Sequence, residues 1–138
     1  MGCDIHAVVF APTWGPQNEA ILAFSEPRDY RLFSAMANVR NYTDKVIPVA
    51  EPRGLPTWLN ANVDSDGEPS VWVSGYVGFG DHSYSWLTTD EFAEAIRRAD
   101  ASRPESPSCD VTYHAVLAAM RSLDAAGHPA TLVFGFDN

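Results

Sequence analysis

Strand-like and helix-like patterns of apolar residues alternate along the chain. Cys3 to Phe10 is apolar and β-branched toward its end, which predicts a strand that stops at the turn Trp14-Gly15-Pro16. Residues 20–25 are predicted to be its hairpin partner. Alternating side chains over Ser70 to Val77 predict a further strand, and Thr131 to Phe136 predicts a last one. Strands are therefore expected at both ends of the chain.

Three segments between these strands combine a helix start signal with a one-sided apolar stripe. Asp29 can cap a helix that runs to about Asn38. Thr88 and Glu91 match a capping box, and a second apolar stripe follows them. Asp110 precedes a third stripe, which a Gly-x-Pro sequence ends. We therefore predict about three helices.

The middle of the chain shows neither the alternation of a strand nor the apolar stripe of a helix. Residues 40–69 contain four prolines and two glycines, which predicts a long loop of the kind that often carries function. Residues 101–108 are rich in Pro and Ser. They are predicted to be a connector within one domain and not a domain boundary, because the chain on either side is too short to fold alone. Together these patterns predict one α+β domain over residues 1–138, with a small, mainly antiparallel sheet and a long Pro/Gly-rich middle loop.

Composition and charge narrow the classes of partner. The 138 residues include 9 Lys and Arg against 18 Asp and Glu, and the net charge of -9 disfavours binding to duplex DNA. There is no apolar run near the roughly 20 residues that a membrane span needs, and the N-terminus lacks a basic leader region. Cys3 and Cys109 are too far apart in sequence to indicate a zinc site or a disulfide framework. A cytoplasmic protein with no membrane partner is expected.

The first candidate for chemistry is the pair Asp4 and His6. They lie two positions apart on a predicted strand, so both side chains leave the same face. A carboxylate beside an imidazole can ligate a divalent metal, or can act as a base that the acid orients. The alternative is a solvated or hydrogen-bonded strand face without chemistry.

The second candidate is a set of arginines around the middle loop, namely Arg28, Arg40 and Arg53. Guanidinium groups suit bidentate capture of phosphate or carboxylate. Arg53 and Gly54 lie between two prolines, where the glycine would let a backbone N–H approach an anion. An ordinary surface arginine is the alternative, and it is our interpretation of Arg31.

The third candidate is GFGDHSYSWLT, residues 78–88, predicted to be a loop that leads into the second helix. His82, Ser83 and Ser85 would bring an imidazole and two hydroxyls near free backbone donors, which suits a phosphate oxygen. In an enzyme, His82 would join Asp4 and His6 as acid, base or metal ligand. No nucleophile elbow surrounds either serine, so a serine hydrolase ranks below metal or anion binding.

The motifs MGCDIH, RDYRLFSAMANVRN, EPRGLP, HSYSWLTTDEF and VFGFDN, in this order, resemble a family of small proteins of tailed bacteriophages. Residues 101–128 carry little of the resemblance. It implies that Asp4 and His6 belong with the middle arginines, with residues 82–85, and with Asp137 and Asn138. The phage context implies the cytoplasm of a bacterial host and a role against host defence, such as sequestering or cleaving nucleotide signals. If the first and last strands are neighbours, the two chain ends contribute to one cleft.

Three functions remain as hypotheses. The first is binding of a small anionic ligand, a nucleotide or phosphorylated signal, with the three arginines on phosphate and Asp4 and His6 on sugar or base. The second is a hydrolase of a phosphodiester-type bond, acid/base or metal-dependent. The third is a protein–protein inhibitor of a host factor that uses the acidic surface and the aromatics Trp14, Trp58 and Trp72. A homodimer with a shared site is compatible with a domain of this size.

Overall fold

The computed structural model describes residues 2–42, 46–105 and 108–138, which form three helices and two antiparallel sheets. The central sheet has four strands in the order β2-β1-β7-β6, and the second has three in the order β3-β4-β5. In chain order the elements are β1 (Asp4–Pro12), β2 (Asn18–Phe24), α1 (Tyr30–Ala37), β3 (Asn62–Val63), β4 (Pro69–Trp72), β5 (Tyr76–Gly78), β6 (His82–Thr88), α2 (Thr89–Ala101), α3 (Val111–Ala125) and β7 (Thr131–Asp137). The predicted α+β class with an antiparallel sheet is confirmed.

The two middle strands of the central sheet, β1 and β7, are buried on both faces. Alternate residues of β1, such as Ile5 and Ala7, pack in the main core with the three helices. Val8 and Phe10 point to the other face, where Val71 and Phe79 of the β4-to-β6 segment cover them. The molecule therefore has three layers. The helices, with Val46 and Val49 of the middle loop, cover one face of the central sheet, and the small sheet and the later part of the loop cover the other. No helix within the described ranges is long and apolar enough to cross a membrane.

All three predicted helix caps are confirmed. The Asp29 side chain accepts a hydrogen bond from the backbone N–H of Leu32 at 3.1 Å. Thr88 and Glu91 make both bonds of a capping box, and Asp110 accepts from the N–H of Thr112 at 2.8 Å. Each cap satisfies donors that the first helical turn leaves without a partner, which explains why the helices begin where the sequence predicts.

Two strand predictions were wrong in their boundaries. Ser70 to Val77 is not one strand, because a turn at residues 73–75 splits it into β4 and β5; Ser74 and Gly75 have φ of 57° and 139°. Residues 82–88 are not a loop but the edge strand β6 of the central sheet. Ser83 also has a positive φ, 57°, and the register shifts between His82 and Ser85. This irregularity hides the strand from a search for alternation. Within the middle region, the described residues 40–42 and 46–69 are largely irregular, as predicted, apart from β3 and the first residue of β4.

Candidate functional site

The start of β1 and the end of β7 lie side by side, which confirms that the first and last strands are neighbours. Asp4 is the register partner of Asp137, and His82 at the start of β6 is the partner of Phe136. Polar side chains from both chain ends and from the segments after β2 and α1 therefore meet at one end of the sheet. We call this group the terminal cluster; its members are Asp4, His6, Arg28, Arg40, His82, Asp137 and Asn138.

His6 and Asp137 form a close acid–imidazole pair within the cluster. His6 Nε2 lies 2.6 Å from Asp137 Oδ2, and the two side chains are 24% and 38% exposed. Because a carboxylate oxygen only accepts, the shared hydrogen belongs to Nε2, and Nδ1 of the neutral ring is left to accept a proton. The acid beside His6 is thus Asp137 and not Asp4, and the role of His6 as an oriented base stays a prediction.

Asp4 is engaged by a different partner. Arg28 Nε donates to Asp4 Oδ1 at 2.6 Å, and this hydrogen bond lowers the pKa of the Asp4 carboxyl. The Arg28 guanidinium packs against Gly2, where a β-carbon would collide with it. Both side chains remain about half exposed, so a ligand in solution can reach the Arg28 fork.

Arg40 and His82 converge on one oxygen. Arg40 Nη2 donates to Asn138 Oδ1 at 3.1 Å, and His82 Nε2 lies 3.4 Å from the same atom. The Arg40 guanidinium also lies 5.4 Å from the ring centre of Tyr30 and 5.9 Å from that of Tyr42. Sequence reasoning missed both tyrosines, because no spacing shows that they flank the arginine. Two donors from separate segments thus point at a single acceptor.

Two residues of this region have a backbone conformation of raised energy. Arg40 and Ser83 have φ of 58° and 57°, a region that costs residues with a β-carbon about 1 kcal/mol or more. Ser83 Oγ lies 2.9 Å from His82 Nδ1, and the His82 ring stacks on Phe136 with centroids 6.2 Å apart. When the Ser83 hydroxyl donates to Nδ1, the hydrogen of the neutral ring is on Nε2, which faces Asn138. Local strain of this kind concentrates at functional sites.

The structure does not bring Arg53, Gly54 and Ser85 into the terminal cluster. Arg53 makes two hydrogen bonds to Glu91, at 2.9 and 2.5 Å, and its guanidinium lies 4.4 Å from the ring centre of Trp86. The Arg53 N–H donates to Ser85 Oγ at 3.0 Å, and the Gly54 N–H donates to the carbonyl of residue 84 at 2.8 Å. In the part of the chain that is described, these three residues attach the middle loop to β6 and α2. Their predicted role in ligand binding gains no geometric support.

The Arg53–Glu91 pair predicts a pH-dependent contribution to stability. The hydrogen bond from Arg53 lowers the pKa of Glu91 to about 2. This contribution is present above the unfolded pKa of about 4.5 and is lost as the pH falls toward about 2. We expect Glu91→Gln to lower the free energy of unfolding at pH 7 by about 1–2 kcal/mol, allowing for partial exposure. Urea denaturation measures this loss at pH 7 and at pH 3. The difference in free energy of unfolding between wild type and Glu91→Gln should be smaller at pH 3.

Asp90→Asn is the matched control for this test, because Asp90 lies in the same helical turn and is exposed. Its free energy of unfolding at pH 7 should fall by only about 0.5 kcal/mol, the contribution of an exposed carboxylate to the first turn of a helix. A Glu91→Gln protein that stays as stable as wild type at pH 7 would show that the pair does not hold the loop.

Metal binding by Asp4 and His6 stays a prediction. Their side chains are engaged by Arg28 and Asp137, respectively. Within ranges 2–42, 46–105 and 108–138, no group of three or more His, Cys, Asp or Glu side chains is arranged to hold a metal ion. A metal ion at Asp4 and His6 would therefore need further ligands from outside these four side-chain types.

Comparison with known proteins gives no further evidence about this site. No model of a known family matches the chain, and no curated protein or solved structure is similar to it. What the terminal cluster can do therefore has to be inferred from its own atoms.

Proposed function

We propose that the protein binds a small anionic ligand of the nucleotide or phosphorylated-signal class at the terminal cluster. The observation that carries this proposal is the convergence of Arg40 Nη2 and His82 Nε2 on Asn138 Oδ1. In the phage setting that the sequence motifs suggest, such a protein would sequester a nucleotide signal of the host's defence.

Asn138 Oδ1 marks the place that an oxygen of the ligand would take. The Asn138 residue is exposed, so its amide can swing away and leave the two donors to a phosphate oxygen. A phosphate oxygen carries negative charge that the neutral amide oxygen lacks, so the Arg40 guanidinium binds it more strongly and the exchange favours the ligand.

Each carboxylate of the cluster has a hydrogen-bond donor beside it. Arg28 neutralises the charge of Asp4, whereas the neutral His6 ring donates a hydrogen bond to Asp137 and leaves its charge in place. The net charge of -9 belongs to the chain as a whole, whereas a local group of arginines still attracts an anion to one end of the sheet. Asp4 and His6 lie beside this group and offer hydrogen bonds to the sugar or base of a nucleotide.

Ligand-induced stabilisation tests this proposal. Inorganic pyrophosphate, adenosine monophosphate and a cyclic dinucleotide are added to the protein, and the melting temperature is followed against sodium chloride of equal ionic strength. At 100 times its Kd, a ligand adds about 2.7 kcal/mol to the folded state, a shift of several degrees. We expect a saturable rise with at least one of the three; equal melting temperatures in all four solutions would refute the proposal.

The His6–Asp137 pair favours a second candidate, hydrolysis of a phosphodiester-type bond. Asp137 fixes the ring, and His6 Nδ1 would take a proton from the attacking water while Arg28 or Arg40 stabilises charge on phosphate. Chromatography of the cyclic dinucleotide after incubation separates the two functions. An enzyme yields products and loses turnover in His6→Gln, whereas a sequestering protein returns the ligand intact.

A further inference from the structure

A concave site lies away from the terminal cluster. A groove of about 580 Å³ runs between the β1–β2 turn, the end of the middle loop and β4. This volume is within the range of small-ligand sites. Its floor includes Phe10 and Val71, which belong to the core under the small sheet. The groove is therefore built on packed elements.

Two tryptophans line the groove with much of their surface exposed. Trp58 is 41% exposed and Trp72 is 65% exposed. Trp58 meets Phe10 edge to face with centroids 5.3 Å apart, and Trp72 meets Tyr76 in the same way at 5.1 Å. Each ring is thus oriented by a neighbouring aromatic, so its free surface is a flat, preorganised platform.

The polar lining consists of carboxamides. Four of them surround the tryptophans: Gln17, Asn18, Asn60 and Asn62. Among the described residues, none of these four side chains is hydrogen-bonded to another residue, and no charged side chain lines the groove. Each carboxamide offers two N–H donors and an oxygen whose two lone pairs accept. The groove thus presents donors and acceptors in equal measure and no charge.

We propose that this groove binds a neutral carbohydrate. A sugar ring has one face rich in C–H groups, which packs on the electron-rich face of an aromatic ring, and hydroxyls around its rim that both donate and accept. Tryptophan platforms bordered by Asn and Gln match both properties. A phosphorylated or otherwise charged ligand would find no countercharge here, so this site is independent of the anion site at the terminal cluster.

Saturation-transfer NMR tests the proposal with neutral hexasaccharides of glucose, mannose, galactose and N-acetylglucosamine, and isothermal titration calorimetry then measures affinity. We expect at least one of them to bind. Trp72→Ala and Asn60→Ala should each weaken that binding about 10-fold or more, since both remove groups that would touch the sugar. Asn60 is exposed and lies outside the strands, so its replacement leaves the fold intact.

Trp14→Ala is the matched control, because Trp14 is 92% exposed and does not line the groove. It should bind the sugar as wild type does, and so should Arg40→Ala, which separates this site from the anion site. The proposal is overturned if no hexasaccharide binds, if adenosine binds in their place, or if binding survives both Trp72→Ala and Asn60→Ala.

Discussion

Arg40→Ala is expected to weaken binding of the anionic ligand at the terminal cluster by about 30-fold, or about 2 kcal/mol. The guanidinium supplies the donor that reaches Asn138 Oδ1 at 3.1 Å, and no other arginine is bonded to that oxygen within the described residues. Titration calorimetry with pyrophosphate measures the loss. Arg121→Ala removes an exposed arginine on α3 and should bind as wild type does.

Arg40→Gly separates binding from folding at the same position. Glycine and alanine remove the same side-chain contacts, but only alanine keeps the strain of a φ of 58°. We therefore expect Arg40→Gly to be more stable than Arg40→Ala by about 0.5 kcal/mol, although both bind the ligand poorly. Binding that survives in either variant would contradict the role assigned to Arg40.

Gly135→Ala is expected to destabilise the protein by about 3 kcal/mol, because the β-carbon has no room. At this position on β7 it would fall against the carbonyl oxygen of Phe79 and the ring of Tyr84. The same segment holds the end of β7 through a hydrogen bond from the Asp81 N–H to the Phe136 carbonyl at 2.9 Å. That packing keeps Asp137 beside His6, so the substitution tests the framework of the site. Urea unfolding followed by tryptophan fluorescence measures the loss.

Gly78→Ala is the matched control, since Gly78 lies in β5 with open space at its β-carbon and no positive φ. Its stability should stay within about 0.5 kcal/mol of wild type. If the two variants are equally stable, the close approach of residues 79–84 to β7 does not exist in solution.

Elements with local start and stop signals could be predicted from the sequence. Each helix begins at a side-chain cap that bonds its own first turn, so residues a few positions apart determine the boundary. β6 could not be found in this way, because Ser83 adopts a positive φ and breaks the alternation. The turn that separates β4 from β5 did carry a signal, Ser74-Gly75, which the alternating valines outweighed.

The candidate site was predictable only in part. Grouping the chain ends required one assumption, that β1 and β7 pair, and the register of Asp4 with Asp137 confirms it. Arg53 and Arg40 are both arginines of the middle region, so the sequence does not distinguish them. The partner of Arg53 in the structure, Glu91, lies 38 positions along the chain. That Arg53 meets Glu91 depends on long-range packing, and neither spacing nor composition contains that information.

The imidazole nitrogens give the most direct test that the terminal cluster binds an anion. Long-range ¹H–¹⁵N spectra resolve the histidine rings, and the chain has four, two of them in the cluster. Pyrophosphate should shift His82, and more weakly His6, along a saturable curve. His114, exposed on α3, and His128, bonded to the Pro12 carbonyl at 2.8 Å, should stay in place. Four rings that do not respond, or that all shift together as with added salt, would contradict an anion site at the joined ends of the chain.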